Sequence, residues 1–240
     1  AFDFFLMVFV FEDIAKEFET SVPVVAWAVT LTLAARFIGA FVFGRAADKY
    51  GRRPVLLTVI LLYSFFAFVS GFAPNLMALL VLRTLFGIAM GGEWGVGASL
   101  TMETVPAKAR GFVSGILQCG YPTGYLIASL AYKTFYATNI LGWRGMIMLG
   151  ALPALLSFYI IRHVKESPGW VPKEGNTMEV VRNHWKLAIY AILLMTAFNF
   201  FSHGTQDLYP NFLRVQHKFD PATVGNIAVI YNIGAILGGL

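Results

Sequence analysis

Long apolar runs separated by short polar segments are the main pattern along this 240-residue chain. A helix needs about 20 mostly apolar residues to cross the hydrocarbon core of a membrane. The runs are continuous and do not alternate with polar residues, which favours membrane helices over a transmembrane barrel. Helices are predicted at residues 1–11, 22–45, 54–73, 75–103, 111–134, 143–163, 186–213 and 221–240. We expect the first and the last of them to be truncated parts of longer helices.

The longest polar stretch divides these helices into two groups. It covers residues 165–185 and contains prolines among mixed charges, a composition that is typical of a linker. The sequence therefore predicts an N-terminal helix bundle at residues 1–164, a cytoplasmic linker at residues 165–185 and the start of a C-terminal bundle at residues 186–240.

Composition and charge support the membrane class. Hydrophobic residues make up 58% of the chain and charged residues 13%, whereas a soluble domain carries about 25% charged residues. The net charge of +5 comes mainly from loops on the side of residues 44–53, so the positive-inside rule explains it and it does not indicate nucleic-acid binding. This orientation predicts a multi-pass protein of the cell membrane with its N-terminus in the cytoplasm.

Residues 44–53 form a charged turn between the second and third predicted helices. Asp48 can accept hydrogen bonds from the exposed N–H groups of a helix N-terminus, where negative charge is favoured. Gly51 suits the left-handed conformation that ends a helix, and Gly44 leaves room for a neighbouring helix to approach. On physical grounds alone, a basic loop that only sets the topology explains the segment equally well.

The spacing G-x-x-x-D-K-x-G-R-R in this turn resembles the signature loop of the major facilitator superfamily. The resemblance implies an all-α membrane protein with the major facilitator fold of two six-helix bundles. It also implies that the turn is a conformational latch and not a substrate site. The implied latch residues are Gly44, Asp48, Gly51, Arg52 and Arg53.

Two further segments resemble motifs of the same family. They are Arg83-x-x-x-Gly87-x-x-x-Gly91 on the fourth helix and the Lys-Glu-Ser-Pro motif at residues 165–168 after the sixth. Gly87, Gly91 and Gly95 share one face of the fourth helix. Because small residues let membrane helices approach closely, we expect this face to pack against a neighbour.

Charged residues inside the predicted helices are few, since each costs about 2.5–3.5 kcal/mol on insertion scales. They are therefore expected to face a cavity or a partner. Asp3 on the first helix and Arg83 on the fourth resemble the acid–arginine pair of sugar and organic-acid proton symporters of the superfamily. This resemblance implies that Asp3 is a proton-coupling carboxylate that Arg83 engages when Asp3 is ionised. The alternative is that Asp3 lies at the membrane interface.

Glu93 and Arg36 are two more charges within the predicted helices. Glu93 lies nearly three turns beyond Arg83, so these two side chains cannot touch within one helix. Two interpretations of Glu93 are kept: a proton-coupling group that faces the cavity, or a group that binds the other bundle near the cytoplasmic end. Arg36 is interpreted as a snorkelling or inter-helix structural residue.

The seventh helix carries a polar stripe on an otherwise aromatic surface. Asn199, His203 and Gln206 share one helical face, and Asp207 lies one turn beyond His203. The alternative explanation is that these polar side chains only form hydrogen bonds that hold neighbouring helices together. The stripe resembles the motif N-x-x-S-H-x-T-Q-D of monocarboxylate and sialate proton symporters, with Asn211 at a position where that family often has a threonine.

These observations predict a proton-coupled symporter of a small organic anion, above all a monocarboxylate such as lactate or pyruvate, working by alternating access. The predicted substrate-binding residues are Asn199, His203, Gln206 and Arg83, and the predicted proton-coupling residues are Asp3, Asp207 and Glu93. A sialic acid or sugar proton symporter is the alternative within the class, and a non-transporting membrane receptor is the alternative outside it.

The sequence contains no metal-ligand cluster, nucleophile–base arrangement or nucleotide-binding loop, so we expect no enzyme activity and no metal site. We expect no cofactor beyond the proton gradient. The expected partners are the organic anion, protons and the lipid bilayer, with no nucleic acid, and the protein is expected to function as a monomer.

Overall fold

The computed structural model describes residues 2–136, 140–171, 182–206, 209, 212–213, 216–219 and 221–238. Within these residues the chain is helical and contains no strand, which confirms the all-α prediction. The α-helices are α1 (Phe2–Phe9), α2 (Phe11–Glu17), α3 (Val22–Tyr50), α4 (Arg52–Ser70), α5 (Leu76–Thr104), α6 (Arg110–Ala131), α7 (Trp143–Leu149), α8 (Ala154–His163), α9 (Trp185–Gln206) and α10 (Pro221–Gly238).

The chain divides into two compact units. One consists of residues 1–172 together with residues 232–240, and the other consists of residues 173–231. Helices α1 to α8 belong to the first unit, and α9 belongs to the second.

Four helical segments in the described part of the chain are long and apolar enough to cross a membrane: Val22–Tyr50, Arg52–Ser70, Leu76–Thr104 and Trp143–His163. Large apolar side chains such as Phe37, Phe65 and Phe158 are exposed on these segments. Lipid is the solvent that favours such a surface, because exposing it to water would be costly.

Helices α3 and α5 pack closely because glycines lie between them. A Cβ atom on Gly87 would overlap the carbonyl oxygen of Thr32, and one on Gly91 would overlap the carbonyl oxygen of Arg36. This confirms the predicted packing face at these two glycines. At Gly95 the predicted packing is not found among the described residues, because a Cβ there would meet none of their atoms within 4 Å.

The first helix differs from the prediction, which ended it at about residue 11. The chain continues past a division at Val10 into α2, which ends at Glu17. Glu12 and Asp13 lie in the first turn of α2, where acidic side chains are favourable.

The predicted sixth helix is divided into α7 and α8. The amides of residues 150–152 each donate to a carbonyl three residues back, at 3.0 Å, so this segment is wound more tightly than an α-helix. Pro153 explains the change, because proline has no N–H group and its ring clashes with the carbonyl of the preceding turn.

Candidate functional site

The signature turn is tighter than the sequence predicted, because Gly51 alone separates α3 from α4. Gly51 has a φ angle of 108°, which favours glycine, so the predicted need for a glycine at this position is confirmed. A Cβ on Gly51 would lie 2.5 Å from Oε2 of Glu166. In contrast, a Cβ on Gly44 would meet no atom within 4 Å, so the predicted close approach at Gly44 is not found in the described part of the chain.

The N-terminus of α4 is capped by Glu166. Its carboxylate accepts from the backbone N–H of Arg52 at 3.0 Å and from that of Arg53 at 3.1 Å. The sequence predicts Asp48 as an acceptor at a helix N-terminus, and for the start of α4 this prediction is wrong. Asp48 lies in the last turn of α3, where its Oδ1 accepts instead from Nη1 of Arg52 at 2.8 Å.

The two arginines of the turn join several helices at this end of the molecule, which we call the signature-loop end. Nη2 of Arg52 lies 3.3 Å from Oε1 of Glu103, near the end of α5. Nη2 of Arg53 donates to the carbonyl of Ile161 on α8. The ends of α3, α4, α5 and α8 are therefore linked through the turn.

Trp170 binds the same turn from the segment after α8. Its indole Nε1 donates to the carbonyls of Ala47 and Asp48, each at 3.1 Å, near the C-terminal end of α3. Sequence reasoning did not single out Trp170 or Glu166 for a role in the turn. The Lys-Glu-Ser-Pro resemblance at residues 165–168 was the available signal.

A buried ion pair joins α1 to α5. Oδ2 of Asp3 lies 3.1 Å from Nη1 of Arg83, and these side chains are only 5% and 2% exposed. The Arg83 guanidinium also lies over the ring of Phe86, 5.2 Å from its centroid. The structure thus brings together the acid and the arginine that the sequence analysis expected to interact. Each ion depends on the other, since an unpaired buried charge is strongly destabilising.

Arg36 and Glu93 form a second polar group, on α3 and α5. Nη2 of Arg36 lies 3.0 Å from the sulfur of Met90, and the guanidinium lies 5.7 Å from the centroid of the Phe4 ring on α1. Glu93 interacts with the Tyr63 hydroxyl on α4 and electrostatically with Arg36. Arg36 therefore connects helices, as one of its two interpretations expected.

The structure does not describe the side chains of the substrate-binding residues that are predicted on the seventh helix. Asn199, His203 and Gln206 belong to α9, but their side chains are outside the described residues, as is the whole of Asp207. Their predicted roles stay predictions.

A cluster at the opposite end of the first unit ties α2 to α7. Arg144 donates to Oε1 of Glu17 at 2.6 Å and to the carbonyls of Gly71 and Ala73, each at 2.9 Å. The indole of Trp143 donates to the other Glu17 oxygen. The hydrogen bond from Arg144, together with that from Trp143, holds the pKa of the Glu17 carboxyl below its usual value of 4.5. Sequence reasoning missed this cluster.

The family model described as Major Facilitator Superfamily matches residues 1–240, so the chain belongs to this superfamily. Members of the superfamily are transporters and not enzymes, which confirms the prediction that the chain is not an enzyme. Together with the apolar helices, membership makes the chain an integral membrane protein.

Curated relatives match almost the whole chain at moderate identity. A carboxylic acid transporter protein homolog of Saccharomyces cerevisiae is 28% identical over 268 residues, covering 100% of this chain and 44% of the relative. The sialic acid transporter NanX of Escherichia coli is 28% identical over 242 residues, covering 99% of this chain and 59% of the relative. The chain thus spans about half the length of the curated relatives it matches.

Solved structures of one transporter share the fold. The xylose transporter XylE from Escherichia coli, in a partially occluded inward-open conformation, matches with a TM-score of 0.63 at 18% identity, over 99% of this chain and 66% of that one. The proton:xylose symporter XylE bound to 6-bromo-6-deoxy-D-glucose gives 0.61 at 20% identity, over 99% of this chain and 50% of that one. These matches confirm the major facilitator fold.

Proposed function

We propose that the chain forms part of a proton-coupled symporter that moves a small organic anion, such as a monocarboxylate, by alternating access. The single observation that carries this proposal is the buried pair of Asp3 and Arg83, 3.1 Å apart within the first unit. A membrane protein tolerates such a costly pair where it has a function. The names of two relatives, a carboxylic acid transporter homolog and a sialic acid transporter, support the substrate class.

The pair supplies a way to couple proton and substrate. When Asp3 is ionised, its negative charge compensates the positive charge of Arg83, so no free charge is left to bind an anionic substrate. A proton on Asp3 removes its negative charge and leaves the buried guanidinium without a counter-ion. The carboxylate of the substrate can then take that place, because the planar guanidinium fork matches a carboxylate. Proton and substrate binding thereby become interdependent, as symport requires.

Three residues of α9 are also proposed to bind the substrate. Asn199 and Gln206 would donate hydrogen bonds to the substrate oxygens. An unperturbed imidazole has a pKa near 6.5, so His203 would gain a charge that attracts an anion in the range where a proton gradient acts. Asp207 would favour the protonated imidazole and serve as a further proton-coupling group. Glu93 is kept as a third candidate for proton coupling, beside Tyr63 and Arg36 on the first unit.

The signature turn is proposed to act as a conformational latch that stabilises one state of the transport cycle. The contacts that support this role link the ends of several helices through Arg52 and Arg53. We propose that this end lies on the cytoplasmic side of a cell membrane, because basic loops concentrate on that side. We propose that the protein works as a monomer with no cofactor beyond the proton gradient.

Uptake into proteoliposomes tests the proposed function. The full-length protein is reconstituted, an inward pH gradient is imposed, and radiolabelled lactate, pyruvate, sialic acid and xylose are offered in turn. We expect a carboxylate to accumulate above its external concentration, and a protonophore to abolish that accumulation. A substrate that binds but is never taken up would support a receptor, and accumulation that ignores the protonophore would exclude proton coupling.

Sialic acid is the second candidate substrate, and the match to NanX over 99% of this chain favours it. The same uptake panel separates the two candidates. Both carry a carboxylate for Arg83, so the relative uptake of sialic acid and lactate reports on the rest of the site.

A further inference from the structure

Gly150 lies directly against the Asp3 carboxyl, at the point where the sixth helix is divided. A Cβ atom on Gly150 would overlap Oδ1 of Asp3 and would lie 2.6 Å from its Cγ and 2.9 Å from its Cβ. Atoms of separate residues do not pack at such distances. Any side chain at position 150 would therefore have to displace the carboxyl.

The backbone at Gly150 does not itself require glycine. Its φ and ψ angles of −59° and −14° lie in the helical region that every residue adopts. The segment is also wound by ordinary hydrogen bonds, with the Gly150 amide donating to Ile147 at 3.0 Å. The space taken by Asp3 is thus what excludes a side chain at this position.

The Asp3 carboxyl has little freedom to move aside. Its side chain is short, and Oδ2 is held by Arg83. Next to it on α1, Leu6 and Met7 are almost completely buried, and on α7 Ile147 is fully buried. Because protein interiors are close-packed, an added atom there displaces its neighbours.

The two carboxyl oxygens of Asp3 have different surroundings. Oδ2 accepts from Arg83, whereas Oδ1 is buried and has no hydrogen-bond partner among the described residues. Oδ1 is the oxygen that faces Gly150. A proton that binds at Oδ1 does not have to compete with the Arg83 N–H group for the same oxygen.

We infer that Gly150 is a positioning residue for proton coupling: its missing side chain creates the space that holds Asp3 against Arg83 with Oδ1 as the oxygen that takes the proton. The step is a simple protonation, in which the carboxylate gains one proton, loses its charge and releases the ion pair. This inference rests on the proposed function, because it assigns Gly150 a role only if Asp3 carries the transported proton.

Gly150→Ala in the full-length protein tests the inference. The added methyl group displaces the carboxyl from Arg83, so we expect the pH of half-maximal gradient-driven uptake to shift by about one unit or more, which is tenfold in proton affinity. Counterflow exchange, which needs no net proton movement, should stay within about twofold, well below the tenfold set by one such unit. The matched control is Gly142→Ala at the start of α7, where a Cβ meets no atom of the described residues within 4 Å and the pH profile should not change.

A second variant separates positioning of Asp3 from simple helix packing. Asp3→Ala removes the carboxyl that the added methyl group would displace, so Gly150→Ala should lower thermal stability much less in that background than in wild type. If Gly150→Ala alone fails to fold, folding of the double variant Asp3→Ala/Gly150→Ala would still support the inference, and failure of the double variant under conditions where Asp3→Ala alone folds would overturn it. An unchanged pH profile in Gly150→Ala, or equal losses in both backgrounds, would also overturn it.

A third variant, Asp3→Asn, distinguishes a wrong role for Gly150 from a wrong proposed function. If Asp3→Asn loses gradient-driven uptake while Gly150→Ala behaves like wild type, only the role of Gly150 is refuted. If Asp3→Asn retains gradient-driven uptake, the proposed coupling itself is wrong.

Discussion

At the scale of single residues, we expect the proposed coupling to depend on buried charges that water does not solvate. Asp3 and Arg83 are each more than nine-tenths buried and are paired through one contact of 3.1 Å. A surface pair of the same length would contribute little, since water and salt screen it. In the buried pair, the loss of one charge changes the balance of the whole site.

Gly51 makes a residue-scale prediction about the signature turn. Gly51→Ala puts a non-glycine residue at a φ of 108° and crowds Oε2 of Glu166, so it should lower the free energy of unfolding by about 1–3 kcal/mol. Thermal unfolding of the purified protein in detergent measures the effect. Gly44→Ala is the control, because a Cβ there meets no atom within 4 Å, and in a helix it should stabilise by up to about 1 kcal/mol. Equal losses for both variants would refute the account of the turn.

At the scale of helices, the sequence predicted the positions of the helices along the chain better than the contacts between them. The apolar runs located α3 to α6 to within several residues, because continuous apolar sequence is a direct consequence of membrane crossing. The division of the sixth helix was missed, although Pro153 was a visible signal for it.

Contacts between distant segments explain the rest of what the sequence left out. The cap on α4 comes from Glu166, which lies 114 residues after Arg52 at the start of that helix. The spacing of apolar residues along the sequence does not predict such a contact between distant segments. The pairing of Asp3 with Arg83 was anticipated only because the two positions resemble those of known symporters.

The cluster around Glu17 makes an element-scale prediction about pH. Its pKa is held below 4.5 in the folded protein, so the cluster stabilises the fold above the pKa of the unfolded chain and loses this contribution as pH falls through the folded pKa. Because Glu17 and Arg144 are partly exposed, the contribution should be at most about 1 kcal/mol.

The measurement is thermal stability of wild type and Glu17→Gln between neutral pH and pH 3. Wild type should be the more stable protein near neutral pH, and the difference should shrink at pH values below 4.5. A difference that grew on acidification would contradict the assignment.

At the scale of the whole molecule, the signature turn and the buried pair occupy different places within the first unit. The turn links helix ends, whereas the pair lies between α1 and α5. We therefore expect the turn to govern the rate of conformational exchange and the pair to govern coupling.

Asp48→Asn tests this division of tasks. The substitution weakens the 2.8 Å contact with Arg52, so the transport rate should fall while equilibrium substrate binding changes little. Uptake rates in proteoliposomes and binding measured by thermal shift provide the two readouts. Loss of binding in a folded Asp48→Asn protein, with unchanged populations of the transport states, would refute the latch.

The most direct test of the account compares gradient-driven accumulation with counterflow exchange in wild type and Asp3→Asn. Asparagine keeps the size of the side chain but cannot take up or release the proton. We predict that the variant loses accumulation driven by a pH gradient and retains measurable counterflow. Gradient-driven accumulation at the wild-type level in Asp3→Asn would contradict the account and remove the buried pair from the coupling mechanism.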